Sequence, residues 1–297
     1  MYTASILMPV YNGERYLSEA IDSVLAQSFA DFEFIIVDDG STDNCPAIIR
    51  AYKDKRIRYI RLPQHMGISH ALNHGLQYAE GELIFRMDAD DFCFPQRIQC
   101  QINFMRQHPD VSICGSDTEL IDEDGMVIGH RNVKKGDQRI KIALFFGETS
   151  LAHPAVVMRK GFLKKHRVQY SESYLHAEDY ELWCRCTAFC TFDNVPEALV
   201  QYRHHSHSVS KAYRYQQRVS AQKILVNHLR SLGLTPSPEE LNCHMQFSLP
   251  LNQSDRPNRS ELAMWGDKLL AWNSKNHVFA PDLFQVELEE RYMHVYG

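Results

Sequence analysis

Two spacings of apolar residues alternate along the first ninety positions. Short runs rich in β-branched and aromatic residues, at 5–10, 32–37, 57–62 and 82–87, predict strands. Between them apolar residues recur every three or four positions. Leu17, Ala20, Ile21, Val24 and Leu25 form one helical stripe, Ala47 to Tyr52 a short one, and Ala71, Leu72, Gly75 and Leu76 another within 69–79. Turn residues separate the two patterns, Tyr11-Asn12-Gly13 after the first strand and Asp38-Asp39-Gly40-Ser41-Thr42-Asp43 after the second. Strands alternating with helices predict an α/β domain built on a parallel sheet with right-handed crossovers.

Further along, Pro95 is expected to start a helix through Ile98, Ile102 and Met105. A strand is expected at 111–120, followed by a hairpin turn at Asp122-Glu-Asp-Gly125. Residues 131–143 are basic and weakly periodic, which suits a surface loop or a flap over a cleft. His153 to Arg159 and Pro196 to Arg203 read as further strands. From Lys211 the character becomes helical. Leu225, Leu229 and Leu232 keep helical spacing up to Gly233, and Ser260 is placed to cap a helix carrying Leu262, Trp265, Leu269 and Trp272.

Composition narrows the class without changing this outline. The chain has 297 residues, 44% hydrophobic and 23% charged, as expected of a globular protein. A formal charge of -5 leaves no bulk basic footprint for nucleic acid. No segment approaches a membrane span and the start lacks a basic leader, so the chain is expected in the cytosol. The eight cysteines show no Cys-x-x-Cys pair and read as reduced, packed thiols. His70 and His74 share a helical face but have no identifiable third ligand.

The candidate chemistry begins where the fourth strand ends, at Met87-Asp88-Ala89-Asp90-Asp91. A buried strand can carry acids only beyond its C-terminal end, so these lie at a rim. Alternation turns Asp88 and Asp90 to one side with Ala89 between them, a pair able to share a Mg²⁺ or Mn²⁺ ion. Asp-x-Asp also arises by chance in solvated turns, so the surroundings must decide. Polar residues follow the first, second and fourth strands, the end at which open α/β sheets bind ligands. Neither Gly-x-Gly-x-x-Gly nor Gly-x-x-x-x-Gly-Lys occurs there, which removes dinucleotide and P-loop sites.

Met8-Pro-Val-Tyr-Asn, Val37-Asp-Asp-Gly-Ser-Thr-Asp and Met87-Asp-Ala-Asp-Asp, in this order, resemble the family 2 inverting glycosyltransferases with the GT-A fold, over about the first two thirds of the chain. The resemblance implies a Rossmann-like, mainly parallel sheet flanked by helices. It implies a catalytic domain at 1–210, with a nucleotide-binding half near 1–110 and an acceptor half near 111–210, and a helical C-terminal extension at 211–297. Pro9, Tyr11, Asn12, Asp39, Asp88, Ala89 and Asp90 would meet the nucleotide. Tyr11 would stack on the base, Asp39 would accept a hydrogen bond from it, Asp88 would lie against ribose and metal, and Asp90 would bind the metal directly. Asp38 and Asp43 suit helix capping better.

A sugar hydroxyl attacking an anomeric carbon needs a group to take its proton, and a carboxylate can serve. Asp179 and Trp183 are spaced i, i+4, placing an acid beside an aromatic plane able to hold a sugar ring. By resemblance Asp179 would be the catalytic base, with Glu178 orienting it or touching the acceptor. His153 either faces the cleft, on the acceptor side with Trp183, or packs internally. The family pattern Tyr-Arg-x-His selects His205 as a further metal ligand, tilting preference from Mg²⁺ toward Mn²⁺; His204 and His207 are alternatives facing the diphosphate.

The expected reaction moves a sugar from a UDP-sugar of N-acetylglucosamine, galactose or glucose type to a hydroxyl of a glycan or glycolipid in surface polysaccharide biosynthesis. A sugar-1-phosphate nucleotidyltransferase and a non-catalytic, glycosyltransferase-like binding subunit are the alternatives. The extension would cover the acceptor side, form a homodimer, or rest on the inner face of the cytoplasmic membrane through Lys211, Arg214, Arg218, Lys223 and Arg230. One departure stands out. Relatives carry Asn-x-Gly after the third strand, and this chain has His65-Met66-Gly67.

Overall fold

The computed structural model describes residues 2–205, 213–247 and 258–296, so His207 and Lys211 lie outside the described residues. The first half follows the expected alternation: β1 (Ala4–Val10), α1 (Glu14–Leu25), β2 (Phe32–Asp38), α2 (Cys45–Ala51), β3 (Ile57–Arg61), α3 (Ile68–Tyr78) and β4 (Leu83–Arg86). Strand β1 pairs in parallel with both β2 and β4, and β2 with β3. The second half adds β5 (Phe92–Cys93), α4 (Arg97–Gln107), β6 (Ile113–Ile121), β7 (Val127–Arg131), α5 (Asp137–Phe145), β8 (Val157–Arg159), α6 (Lys160–His166), α7 (Glu178–Cys186) and β9 (Phe192–Arg203). One mixed sheet results, ordered β3-β2-β1-β4-β8-β6-β9-β5, with β7 paired to β6. Strand β8 runs antiparallel to both β4 and β6, joining the two halves.

Every residue of β1 and β2 is buried because helices cover both faces. Period-two alternation sorts their side chains into two layers. Ile6, Met8 and Val10 pack with Phe34 and Ile36 against α1, α2 and α4, while Leu7, Ile35 and Val37 pack toward α3. Gly75 lets α3 approach, since a Cβ there would lie 2.2 Å from Leu7 Cδ1. All eight cysteines are free and none is exposed, as expected.

Several expectations change. Helix α4 starts at Arg97, with Pro95 outside it, and His153 to Ala155 form a 3₁₀ turn before β8 instead of strand. The 131–143 stretch is neither flap nor plain loop. Its second half is α5, in which Ile140, Ile142, Ala143, Leu144 and Phe145 are buried. The cap of the helix assigned to Ser260 is Asn258, whose side chain accepts from Glu261 N in a capping box.

The extension contributes α8 (Arg214–Ser231), α9 (Pro238–Gln246), α10 (Arg259–Asn276) and α11 (Pro281–Tyr296). Its core is shared with the sheet domain. Phe145 and Phe146 at the end of α5 pack among Leu229, Leu262, Trp265, Leu269 and Phe284. Phe145 stacks on Trp272 at 5.4 Å, and Lys134 pairs with Glu287 at 3.0 Å. Among the described residues no helix is long and apolar enough to cross a membrane.

Candidate active site

Chain turns at the C-terminal ends of β1, β2 and β4 open on one cleft of about 790 Å³, which also receives residues from the 171–179 segment, β9 and α8. Pro9, Tyr11, Asn12, Asp39, Asp88, Asp90, His153, Glu178, Asp179 and His205 all line it. Ala89 packs against the sheet core and does not line the cleft, so its part is to separate the two acids.

Beyond β2 the paired aspartates divide their work. Asp38 is buried and accepts Ser41 N at 2.7 Å and Tyr59 Oη at 2.7 Å, closing the turn instead of capping α2, whose N-cap is Asn44. Asp43 accepts Glu14 N and Cys45 N. Asp39 accepts Met66 N and Gly67 N, both at 2.8 Å, with His65 Nδ1 also 2.8 Å from its Oδ2. Its carboxylate therefore pins the 64–67 loop, and a base can reach only the lone pair left on Oδ1. Gly40 permits this approach. Its φ is +73°, and a Cβ there would sit 2.5 Å from the Gln64 carbonyl carbon. The His65 ring stacks on Tyr11 with centroids 3.8 Å apart, so a base must use the other face of Tyr11 or take the place of His65. Asn12, at φ +50°, ties its turn to the one after β2, its Oδ1 accepting Thr42 N at 2.8 Å and its N donating to Ser41 Oγ at 3.0 Å.

At the end of β4 a charged group missed by sequence reasoning organises the acids. Arg86 is buried within the strand and pairs through Nη1 with Asp88 Oδ2. Its signal was a lone cation in an apolar run, a residue that needs a partner when buried. Asp90 Oδ2 lies 2.9 Å from His205 Nε2, bringing together residues 115 apart in sequence. Arg203 locks this end of β9. Its backbone N donates to Asp91 Oδ1 at 2.8 Å, its Nε to the Asp90 carbonyl at 2.8 Å, and its Nη2 to Glu19 at 2.7 Å.

Asp88, Asp90 and Asp91 offer oxygens within 4.8 Å of one another, a grouping that could hold a metal ion. Asp91 was not among the expected ligands; it is buried and its Oδ2 has no partner. Burial raises the Asp91 carboxyl well above the ordinary range, and the charges of Asp90 and Asp88 add to this. Burial likewise raises Asp88 against the pull of Arg86. Three crowded carboxylates, one with an orphaned oxygen, beside an imidazole nitrogen fit a divalent cation.

The second acidic pair of the cleft lies at the start of α7. Asp179 Oδ1 accepts Tyr180 N at 2.7 Å, and Tyr180 Oη donates to the Leu144 carbonyl at 3.0 Å, tying α7 to α5. Burial raises Asp179, while that N–H, Arg86 and Arg131 pull it down. Glu178 has no such support. Its Oε2 is buried without a partner, and burial followed by the Asp179 charge pushes it up to about 7. Burial and the neighbouring charge thus favour the protonated form of Glu178. The charge of Asp179 is also felt at Asp88, which it helps to raise.

A raised carboxyl binds its proton more tightly in the folded chain than in the unfolded one. Its stabilisation is full below the ordinary value of 4.5 and is lost as pH rises through about 7. Glu178→Gln is expected to flatten the fall in urea-unfolding midpoint across that window, and an unchanged slope would show that Glu178 titrates normally.

One expected acceptor contact is corrected. Trp183 is fully buried in the core shared by α3 and α7 and does not line the cleft. Helix α7 buries Tyr180, Leu182, Trp183, Cys184 and Cys186, so an i+4 step from Asp179 leads one turn deeper into the domain. His153 lines the wall but is 8% exposed, with Nε2 3.0 Å from Tyr170 Oη and Nδ1 3.9 Å from Glu178 Oε1. Burial lowers it well below its ordinary value, so it stays neutral; it both borders the cleft and packs beside Tyr170 and Glu178. His204 lies edge-on to Tyr202 and is outside the cleft.

The profile of the family described as Glycosyl transferase family 2 matches residues 5–167. An uncharacterized glycosyltransferase of Methanocaldococcus jannaschii is 32% identical over 74% of this chain and 75% of its own length. The O-antigen biosynthesis glycosyltransferase WbnJ of Escherichia coli is 32% identical over 70% of this chain and 82% of its own. Among solved structures, S. aureus TarS 1–349 in complex with UDP-GlcNAc superposes with a TM-score of 0.64 at 18% identity, covering 99% of this chain and 90% of that one. A Pyrobaculum calidifontis mannosyltransferase in complex with GDP-Man and Mn²⁺ gives 0.59 at 14% identity, covering 99% and 88%. At these identities the structures show a common fold, the GT-A arrangement of a mixed, mostly parallel sheet between helices.

Proposed function

Because the chain belongs to glycosyltransferase family 2, we propose that it catalyses metal-dependent, inverting transfer from a UDP-sugar to a hydroxyl of a glycan or glycolipid. The observation that carries this reading is that one cleft is lined by Asp88, Asp90 and His205 together with Glu178 and Asp179.

Nucleotide binding falls to the β1 and β2 ends, with the free face of Tyr11 or the site of His65 for the base and Pro9 and Asp39 beside it. Asp88, Asp90 and His205 would hold Mn²⁺ or Mg²⁺, with Asp91 behind them. A bound cation supplies neutralisation of the charge that develops on the departing diphosphate. His205 favours Mn²⁺, since imidazole is the softer ligand. Asp179 accepts the proton of the attacking hydroxyl, and Glu178 beside it orients it or touches the acceptor. The sugar donor would be of N-acetylglucosamine, galactose or glucose type.

The UDP-GlcNAc in the TarS complex supports a UDP-sugar donor, and the O-antigen relative supports a surface-glycan acceptor. The exposed Arg214, Arg218, Lys223 and Arg230 of α8 suit peripheral contact with the inner face of the cytoplasmic membrane. The test is a panel of UDP-sugars incubated with the full chain, with MnCl₂ or with EDTA. Metal-dependent release of UDP from one donor is expected. Pyrophosphate released from UTP and a sugar phosphate would point to a nucleotidyltransferase instead, and no turnover of any donor would point to a binding subunit.

A further inference from the structure

The segment that delivers Glu178 and Asp179 is held in an unfavourable shape by the C-terminal extension. His176 has φ +62°, a left-handed conformation that a residue with a side chain adopts reluctantly. Gln217 of α8 holds it there, donating through Nε2 to the His176 carbonyl at 2.9 Å. A second bond from α8 anchors the same segment, Asn227 Nδ2 to Tyr174 Oη at 3.1 Å. The His176 imidazole stacks flat on Tyr213, the residue just before α8, with centroids 4.2 Å apart and planes 14° from parallel. Burial lowers His176, so the stack is uncharged near neutral pH.

The strained segment leaves apolar surface in the open. Leu175 is 63% exposed and Tyr213 45% exposed, although both belong to the cleft that contains Asp179. Polar groups of Glu172 and Gln217 border them in the same wall. Small-molecule sites commonly combine an aromatic or aliphatic floor with a few convergent polar groups. A pyranose ring matches that combination, with one face of C–H groups for the floor and hydroxyls around its edge. Local backbone strain maintained by specific side-chain bonds points to a functional shape. Three peptide links separate His176 from Asp179, which limits their Cα atoms to about 10 Å apart.

We propose that Tyr213, His176 and Leu175 form the acceptor subsite, binding a sugar ring of the acceptor so that one of its hydroxyls faces Asp179. This rests on the glycosyltransferase reading above, and it assigns to the extension a direct part in choosing the acceptor. The floor that sequence reasoning sought in Trp183 is thus supplied from another element, at the cleft mouth.

Saturation-transfer difference NMR tests it, with the full chain, UDP and MnCl₂, and the methyl β-glycosides of glucose, galactose and N-acetylglucosamine as probes. Saturation of the ring protons of at least one glycoside is expected with the wild-type chain. Tyr213→Ala should weaken that binding at least tenfold and Tyr213→Phe should retain it, because the ring and not the hydroxyl makes the floor. Leu175→Ser, on an exposed tip whose change spares the fold, should also weaken binding. Absence of signal from all three glycosides in the wild-type chain overturns the proposal, as does equal signal in the wild-type chain and in Leu175→Ser or folded Tyr213→Ala. UDP-sugar hydrolysis by the same wild-type sample separates the two ideas: hydrolysis without glycoside binding removes only the subsite, whereas loss of hydrolysis with every donor removes the parent reading.

Discussion

Asp179→Asn is expected to lower sugar transfer by about a hundredfold or more, the usual scale for loss of a general base, while Mn²⁺-dependent UDP binding persists. The substitution keeps shape and the local bond, since an amide oxygen can still accept Tyr180 N. What it removes is the ability to take a proton from the acceptor hydroxyl. Burial already raises Asp179, making it a better proton acceptor than a surface aspartate. The measurement is initial rate with saturating donor and acceptor, alongside calorimetry of UDP. Transfer at the wild-type rate would end the assignment of Asp179 as base.

Asp90→Asn should act on the metal and nucleotide. Loss of an outer-shell partner of a metal ligand commonly costs about ten- to a hundredfold in metal affinity, and removing the direct ligand should cost at least that. UDP binding in MnCl₂ is therefore expected to fall toward its value in EDTA. Transfer should fall with it. His205 would remain beside position 90 but lose the carboxylate it now meets at 2.9 Å. Calorimetric titration of UDP with and without Mn²⁺ checks this. Equal UDP affinity in both conditions for the wild-type chain would remove the metal from the proposal altogether.

Much of this site was legible because its residues sit where strands end. The apolar runs that became β1, β2 and β4 bring Tyr11, Asp39 and Asp88 to one edge in any parallel arrangement, so their meeting needed no knowledge of loops. Asp38 and Asp43 were separable from Asp39 because their bonds are short-range, Asp43 meeting the first N–H of α2 and Asp38 closing its own turn. The i, i+4 spacing of Asp179 and Trp183 was read correctly as one helical face, yet the conclusion failed for Trp183. Spacing says which residues share a face and not which face looks out. With α5 and α3 on either side of the same core, that face turned inward below the first residue of the turn.

The partners of charged groups were less accessible. Arg86 and Asp88 are two positions apart and fall on one side of an extended segment, so their pairing was open to the same alternation that joined Asp88 to Asp90. Asp91 and Arg203, 112 apart, meet because β5 pairs with β9, a contact that no local pattern signals.

By itself the sequence determined the strand and helix order of the first ninety residues, the edge at which the acids gather, and the chemistry those acids could perform. These follow from apolar periodicity and from turns only a few residues long, both local properties of the chain. Tertiary structure alone decided that Trp183 is interior, that α5 joins the core of the extension, that His65 covers one face of Tyr11, and that Tyr213 stands beside the segment carrying Asp179. Each of those depends on which distant surface packs against a given face, and that is settled by burying apolar area across the whole fold.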